Sequence, residues 1–228
     1  MSNSQDRAAN SSIFPVVLII HANASMYGTP IRNINESLDK FFKELQLNES
    51  VKSNAEVSVI SITDKTTLLQ DWKTVNDEPF MLTNIYAEGG ADLTDAFSMA
   101  IKLIDERMEK HASENTTCHK PAIILISDCF SISDSNVEAE VTTRIADDKF
   151  DLFLLLVDND TAPAICCEKN AYTLDSTSPY DFSGFFRLME AMILNTVATP
   201  VGIIINHSNL IDDVWENIPV KKIESFLT

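Results

Sequence analysis

Two short stretches of this 228-residue chain carry polar side chains directly after apolar runs. In the first, His21-Ala22-Asn23-Ala24-Ser25 follows Phe14-Pro15-Val16-Val17-Leu18-Ile19-Ile20, and in the second, Asp128 follows Pro121-Ala122-Ile123-Ile124-Leu125-Ile126-Ser127. A third stretch, Glu88-Gly89-Gly90-Ala91-Asp92, is a turn signal before an amphipathic segment. Aspartate and serine in a strand-to-helix turn often hold a metal ion or an anion, whereas this chain has histidine and asparagine beside its serine.

A hydrolytic site is one chemistry that these residues could support. Ser25, His21 and Asp128 would form a nucleophile, a general base and the carboxylate that orients the base if their side chains converged. However, the chain has no G-x-S-x-G elbow, and its five glycines form neither a dinucleotide fingerprint nor a phosphate-binding P-loop. We therefore expect a protein that is not an enzyme.

The elements that would hold these stretches follow from hydrophobic periodicity. Continuous apolar runs are typical of strands buried in a parallel sheet, and polar–apolar alternation is typical of half-buried strands. Strands are predicted at 14–20, 56–63, 66–72, 121–127, 151–157 and 171–174, with 56–63 half-buried and 66–72 as its hairpin partner. Helices are predicted at 29–45, 92–108, 137–146 and 182–193, with Thr29 and Asp181 as caps of the first and last. The order predicts an α/β fold with a doubly wound, mostly parallel central sheet, flanked by helices, and one antiparallel edge strand.

This fold class also predicts where a site would lie. In doubly wound sheets, ligands bind beyond the carboxyl ends of the strands, where the strand order reverses. The turn after the first strand, the Gly89-Gly90 turn and the turn at Asp128 are therefore expected at one edge of the sheet.

Composition restricts the partners. With 17 Lys and Arg against 34 Asp and Glu, the net charge is −17, which repels nucleic acid and anionic membrane surfaces. Solubility explains this acidity, and an acidic docking face for a basic partner is the alternative. No apolar run approaches the roughly 18 to 20 residues of a membrane span, and residues 1–12 are predicted to be a disordered lead-in rather than a signal peptide. We therefore expect a cytoplasmic protein.

The four cysteines form no C-x-x-C pair, so reduced thiols are expected. Cys118-His119 and Cys129 could suggest zinc, but a second closely spaced ligand pair is lacking. Adjacent Cys166 and Cys167 are poorly suited to a simple disulfide framework.

The chain resembles the von Willebrand factor type A family, and within it the bacterial TerY-like branch associated with tellurium resistance. The resemblance rests on PVVLIIHANASMYGTPIRNINESLDKFFKEL, EGGADLTDAFSMAI, PAIILISDCF and TLDSTSPYDFSGFFRLMEAMI. It implies a Rossmann-like domain over 13–197, followed by an extension over 198–228. Because that extension is rich in apolar residues, we expect it to dock a partner or to add a strand and a short helix to the domain.

The resemblance also implies a metal-ion-dependent adhesion site. In that site a D-x-S-x-S turn, a threonine on a second loop and an aspartate on a third loop coordinate magnesium, whose open position takes a carboxylate from a partner protein. Carried over, the first aspartate falls on His21, the serines on Asn23 and Ser25, the threonine on Ala91 and the last aspartate on Asp128. Only Ser25 and Asp128 are retained, and magnesium prefers six oxygen ligands. We therefore expect a degenerate site without Mg²⁺.

Two details of this degenerate site stay open. Asp92 could supply a compensating carboxylate if its loop shifted, although its position at the start of a helix already gives it an adequate structural role. His21 could be a cation paired with Asp128, or a neutral ring bonded to the backbone.

The predicted function is therefore that of a non-enzymatic protein-binding module. The TerY-like resemblance implies a bacterial stress-response or signalling assembly that includes a protein kinase and a protein phosphatase. The alternative is a domain that still binds Mg²⁺ through Ser25 and Asp128 and uses it to capture an acidic residue of a partner.

Overall fold

The computed structural model describes residues 12–77, 84–159, 170–174, 180–203 and 220–222. The predictions for residues 1–11, for Cys166 and Cys167, and for most of the 198–228 segment lie outside the described residues.

Within these described ranges, seven strands form a single sheet in the order β3-β2-β1-β4-β5-β6-β7. Their bounds are β1 Phe14–His21, β2 Ala55–Ile62, β3 Thr66–Thr74, β4 Ala122–Ser127, β5 Asp151–Val157, β6 Ala171–Leu174 and β7 Val220–Lys222. The strands from β2 through β1, β4 and β5 to β6 are parallel, and β3 is the antiparallel edge strand that the sequence predicts. At the other edge, β7 runs antiparallel to β6 and adds a second such pairing.

Five helices cover the two faces of this sheet within the described residues. Their bounds are α1 Thr29–Leu47, α2 Glu49–Asn54, α3 Thr94–Ser113, α4 Ser135–Ala146 and α5 Ser183–Ala198. One apolar core contains residues of α1, α2 and α5, and the other contains residues of α3 and α4. The short helix α2 was not predicted. Asn48 explains it, because its side chain accepts hydrogen bonds from the first amides of the helix.

The central strand β1 shows why the sequence must be apolar here. Side chains of a strand alternate between the two faces of a sheet. Val16, Leu18 and Ile20 lie in the core beneath α1 and α5, whereas Val17 and Ile19 lie in the core beneath α3. Since both faces are covered, every position of β1 is buried. The chain leaves β1 towards β2 and later returns to β4 on its other side, so the strand order reverses between β1 and β4.

Two local predictions need correction. The alternating strand β2 is buried along its whole length rather than on one face, because its polar residues have partners within the fold. Ser58 donates a hydrogen bond to the Gln70 carbonyl of β3 over 2.9 Å, and Glu56 accepts one from Arg107 of α3 over 2.7 Å. Thr29 was predicted to cap α1, but it is the first helical residue, and the cap position belongs to Gly28.

Candidate functional site

Three loops meet beyond the carboxyl ends of β1 and β4. The first loop is 22–28, the second is 84–93 and the third is 128–134. The amide of Glu88 donates to the Ala22 carbonyl over 3.0 Å, and the amide of Ala24 donates to the Gly89 carbonyl over 3.1 Å. The second loop is joined to the third by the amide of Leu93, which donates to the Ser131 carbonyl over 2.9 Å. The loops therefore assemble beyond the carboxyl ends of the strands, which is the position that the sequence predicts for them.

Gly89 is required by this assembly. Its φ of +70° is unfavourable for other residues, and an added Cβ would lie 2.3 Å from the backbone nitrogen of Asp64. The glycine thereby lets the second loop approach the turn after β2 closely.

His21 is buried at the centre of the site, with both ring nitrogens in contact with neighbouring loops. Nε2 lies 2.9 Å from the carbonyl oxygen of Ala91, which only accepts, so Nε2 carries a hydrogen. Nδ1 lies 2.7 Å from the Ser127 hydroxyl and 3.7 Å from the Asp128 carboxylate. Burial lowers the pKa of His21, and the opposing effects of Asp128 and the Ala91 carbonyl are smaller. This geometry favours the neutral, backbone-bonded alternative.

The Asp128 carboxylate is held by the first loop instead. The side-chain amide of Asn23 donates to its two oxygens over 2.9 and 3.1 Å. The hydroxyl of Ser25 contacts the same carboxylate and the amide oxygen of Asn23. The side chains of Asn23, Ser25 and Asp128 therefore bond directly to one another across the cleft.

These contacts differ from those of a hydrolase triad. Ser25 bonds to Asp128 and Asn23, whereas His21 bonds to Ser127 and Ala91. A serine nucleophile needs a hydrogen bond to its base. The three candidate residues lie close together without that pairing.

Asp92 lies beside the site but is bonded to the start of α3. Its carboxylate accepts hydrogen bonds from the amide of Thr94 over 3.1 Å and from the amide of Ser133 over 2.8 Å. Slight burial raises the pKa of Asp92, but these hydrogen bonds outweigh it and the net shift is downward. The side chain thus joins the second loop to the third.

Two further residues contact His21, and neither lies at a position carried over from the adhesion site. Ser127 ends β4, and Cys129 follows Asp128 with its sulfur 3.7 Å from Nδ1 of His21. Burial and then the Asp128 charge raise the pKa of the Cys129 thiol. A polar residue at the end of an otherwise apolar strand was the available signal for Ser127. Cys118, the other described cysteine, precedes β4 and lies at the opposite end of that strand.

Two exposed tyrosines adjoin the loops. Tyr27 is 80% exposed and directly follows the short 3-10 turn Ala24–Met26. Tyr86 is 70% exposed and lies two residues before Glu88, whose amide bonds to the first loop. Both rings are available to a binding partner.

The donor set does not match the requirements of magnesium. At the positions carried over from the adhesion site, His21 presents a ring nitrogen, and the only polar atoms of Ala91 are those of its backbone. The Ala91 carbonyl already accepts a hydrogen bond from His21, and the amide hydrogens of Asn23 point at Asp128. Magnesium needs near-octahedral oxygen coordination, and these groups do not supply it.

The sheet order, the two helical layers and the site between β1 and β4 define a von Willebrand factor type A fold. Solved structures with this fold superpose on the chain: "von Willebrand factor type A from Catenulispora acidiphila" has a TM-score of 0.59 and 14% identity over 80% of this chain and 43% of its own. The vWF domain of the type V pili tip protein Mfa5 from Porphyromonas gingivalis has a TM-score of 0.58 and 10% identity, over 86% of this chain and 99% of its own.

A third similar structure is the pilus adhesin SpaC from Lactobacillus rhamnosus GG in its open conformation. Its TM-score is 0.59 with 10% identity, over 81% of this chain and 30% of its own. The chain thus spans less than half the length of the first and third of these proteins. No protein-family profile and no curated protein matches the sequence. Among the helices that the structure describes, none has the length and apolar composition needed to cross a bilayer.

Proposed function

We propose that this domain is a non-enzymatic protein-binding module that works without magnesium through the loops at the carboxyl ends of β1 and β4. The observation that carries the proposal is the direct bonding between these loops. His21 bonds to Ala91, and Asn23 bonds to Asp128, at four of the positions where the resemblance implies metal ligands. The loops are therefore held in place by side chains, as a preformed surface for a partner requires.

The surface around these loops suits protein recognition. Tyr27 and Tyr86 are largely exposed, and the Asp128 carboxylate is partly exposed. Tyrosine is enriched at protein interfaces because it combines a rigid apolar ring with a polar hydroxyl.

The setting of this module is proposed from the resemblance and from the similar folds. Two of the similar structures are described as a pilus adhesin and a pili tip protein, so the fold occurs in proteins of pili. The TerY-like resemblance instead supports a cytoplasmic stress-response or signalling assembly containing a protein kinase and a protein phosphatase. We propose the second setting, because the quoted sequence motifs support it.

The alternative function retains magnesium. Ser25 and Asp128 are bonded to each other and both offer oxygen atoms, which is the observation that favours it. In that case the ion would capture an acidic residue of the partner. Thermal unfolding with increasing Mg²⁺ distinguishes the two proposals, because only a protein that binds the ion is stabilised by it.

The proposed binding surface is tested by affinity capture from the native host, with the full chain as bait. We expect the wild-type chain to retain a partner that Tyr27→Ala and Tyr86→Ala lose. Leu47→Ala is the matched control, because Leu47 is 78% exposed at the far end of α1, whereas Tyr27 is 80% exposed beside its start. Equal capture by the tyrosine variants and the wild type would contradict the proposed surface.

A further inference from the structure

The substitutions at the adhesion-site positions bring together a different set of possible ligands. His21 offers Nδ1, Asp128 a carboxylate oxygen and Cys129 a thiol sulfur, and these atoms lie within 4.8 Å of one another. We propose that His21, Asp128 and Cys129 form a binding site for zinc in the reduced protein. This inference does not depend on the proposed protein partner.

The distances suit a small tetrahedral ion. Nδ1 of His21 lies 3.7 Å from the Asp128 oxygen and 3.7 Å from the Cys129 sulfur. Two ligand atoms of a tetrahedral zinc ion are separated by about 3.3–3.6 Å, given metal–ligand bonds of about 2.0–2.3 Å. Movements of a few tenths of an ångström therefore bring the two pairs that include Nδ1 to ligand spacing, and the Asp128 oxygen and the Cys129 sulfur lie within 4.8 Å of each other.

The hydrogen bonds around the cluster already orient these ligands. A metal-bound histidine usually donates its other ring hydrogen to a carbonyl or a carboxylate, and the Nε2 of His21 donates to the Ala91 carbonyl. This bond leaves Nδ1 as the unprotonated nitrogen that faces Asp128 and Cys129. The Asn23 amide holds the carboxylate of Asp128 in the same way.

Ser127 must release Nδ1 before a metal can bind there. Its hydroxyl lies 2.7 Å from Nδ1 but also 2.5 Å from the carbonyl oxygen of Cys129. The hydroxyl can therefore donate to that carbonyl when the ring nitrogen binds the ion. Neither the Ser127 hydroxyl nor Nδ1 is left without a partner by this change.

The chemistry of the ligands selects the metal. Imidazole and thiolate favour zinc over magnesium, and one carboxylate is compatible with either. On binding, the Cys129 S–H bond breaks, an S–Zn bond forms, and the proton passes to solvent. The three side chains leave the fourth tetrahedral position for water or for a ligand from outside the domain, because Asp128 is partly exposed.

Cobalt(II) titration of the reduced full chain tests the site, since cobalt replaces zinc and reports thiolate ligation by a charge-transfer absorption band. We expect the wild type to develop this band and to lose it when Zn²⁺ is added. Cys129→Ser should abolish the band. His21→Gln should weaken binding at least about 100-fold, because even outer-shell changes cost about 10- to 100-fold. Circular dichroism of each variant checks that it is folded.

Two controls assign the band to the proposed thiol. Cys118→Ser changes a described cysteine at the opposite end of β4 and should leave the spectrum unchanged. The double variant Cys166→Ser, Cys167→Ser tests the remaining thiols and should also retain the band. Persistence of the band in Cys129→Ser, its loss in the double variant, or an absence of any band in the wild type would overturn the zinc site. None of these results bears on partner capture, so failure of the metal site and failure of the proposed function are distinguishable.

Discussion

The side-chain amide of Asn23 lies 2.9 and 3.1 Å from the two carboxylate oxygens of Asp128, which joins the turn after β1 to the end of β4. The amide group of Asn23 has two hydrogens and donates to both oxygens. The serine that the resemblance implies at this position has one hydroxyl hydrogen, so it could donate to only one of them. The carboxylate is thereby stabilised by a neutral side chain.

Replacement of Asn23 by alanine tests this relationship. Removal of the two hydrogen bonds should lower the free energy of unfolding by about 1–2 kcal/mol, measured by urea denaturation. Asn23→Asp preserves the shape but places a negative charge against Asp128, so its loss should be larger and should shrink as salt is added. A salt-independent effect of Asn23→Asp would contradict the electrostatic explanation.

Restoration of the adhesion-site residues should create a magnesium site. We expect the triple variant His21→Asp, Asn23→Ser, Ala91→Thr to melt at a temperature that rises with Mg²⁺ concentration, whereas the wild type shows no such rise. Without metal, the variant should be less stable than the wild type, because the carboxylate introduced by His21→Asp would face Asp128. A folded triple variant that ignores Mg²⁺ would mean that the loops do not converge as the fold implies.

A buried ion-pair network at the opposite end of the sheet should control acid stability. Glu56 accepts hydrogen bonds from Arg107 over 2.5 and 2.7 Å and from His111 over 2.8 Å. Burial by itself raises the pKa of Glu56, but the hydrogen bonds from Arg107 and His111 outweigh it and lower the pKa. The ionised carboxylate therefore stabilises the fold above its unfolded pKa of 4.5, and this contribution is lost as the pH falls through the lower, folded pKa.

Glu56→Gln should reduce the free energy of unfolding by about 3 kcal/mol at pH 7, because Arg107 loses its buried partner. The difference from the wild type should diminish at pH values below the folded pKa. Glu49→Gln is the matched control, since the Glu49 side chain is 83% exposed in its ion pair with Lys52. An exposed pair contributes at most about 1 kcal/mol. Equal effects of the two substitutions would contradict the importance of burial.

The two neighbouring glycines of the second loop should respond differently to alanine. Gly89→Ala should cost more than about 1 kcal/mol in unfolding free energy, because its φ is positive and the added carbon meets Asp64. Gly90→Ala adds a carbon that has no neighbour within 4 Å, so it should be close to neutral. Thermal denaturation of both variants makes the comparison, and similar losses would contradict the close approach of this loop.

Amide hydrogen exchange tests the strand contributed by the C-terminal extension. β7 pairs with β6 through Val220, Lys221 and Lys222, whose partners are Leu174, Thr173 and Tyr172. We expect slowed exchange for backbone amides of β7 that bond to β6. Exchange at the rate of an unstructured peptide throughout 220–222 would contradict this pairing in solution.

Much of the architecture follows from the sequence alone. The apolar run of β1 predicts a strand buried on both faces, because alternate side chains must enter the two cores. The three- and four-residue spacing of apolar positions in α1 predicts the face that is buried. All six of these residues are buried: Ile31, Ile34, Leu38, Phe41, Phe42 and Leu45. Since parallel strands end at a common edge, the sequence also determined that His21 and Asp128 belong to one region.

Only the tertiary structure decided which atoms of that region meet. His21 and Ser127 are separated by 106 residues, and Glu56 and Arg107 by 51, so local periodicity carries no information about either contact. The alternation of β2 predicted one polar face, but β3 and α3 supply partners that allow Ser58 and Glu56 to be buried. Likewise, the bond between Nε2 of His21 and the Ala91 carbonyl depends on how the loop that contains Ala91 lies across the cleft. Periodicity specifies which face of an element is apolar, whereas the partners of a buried polar group depend on distances between elements that form only when the chain folds.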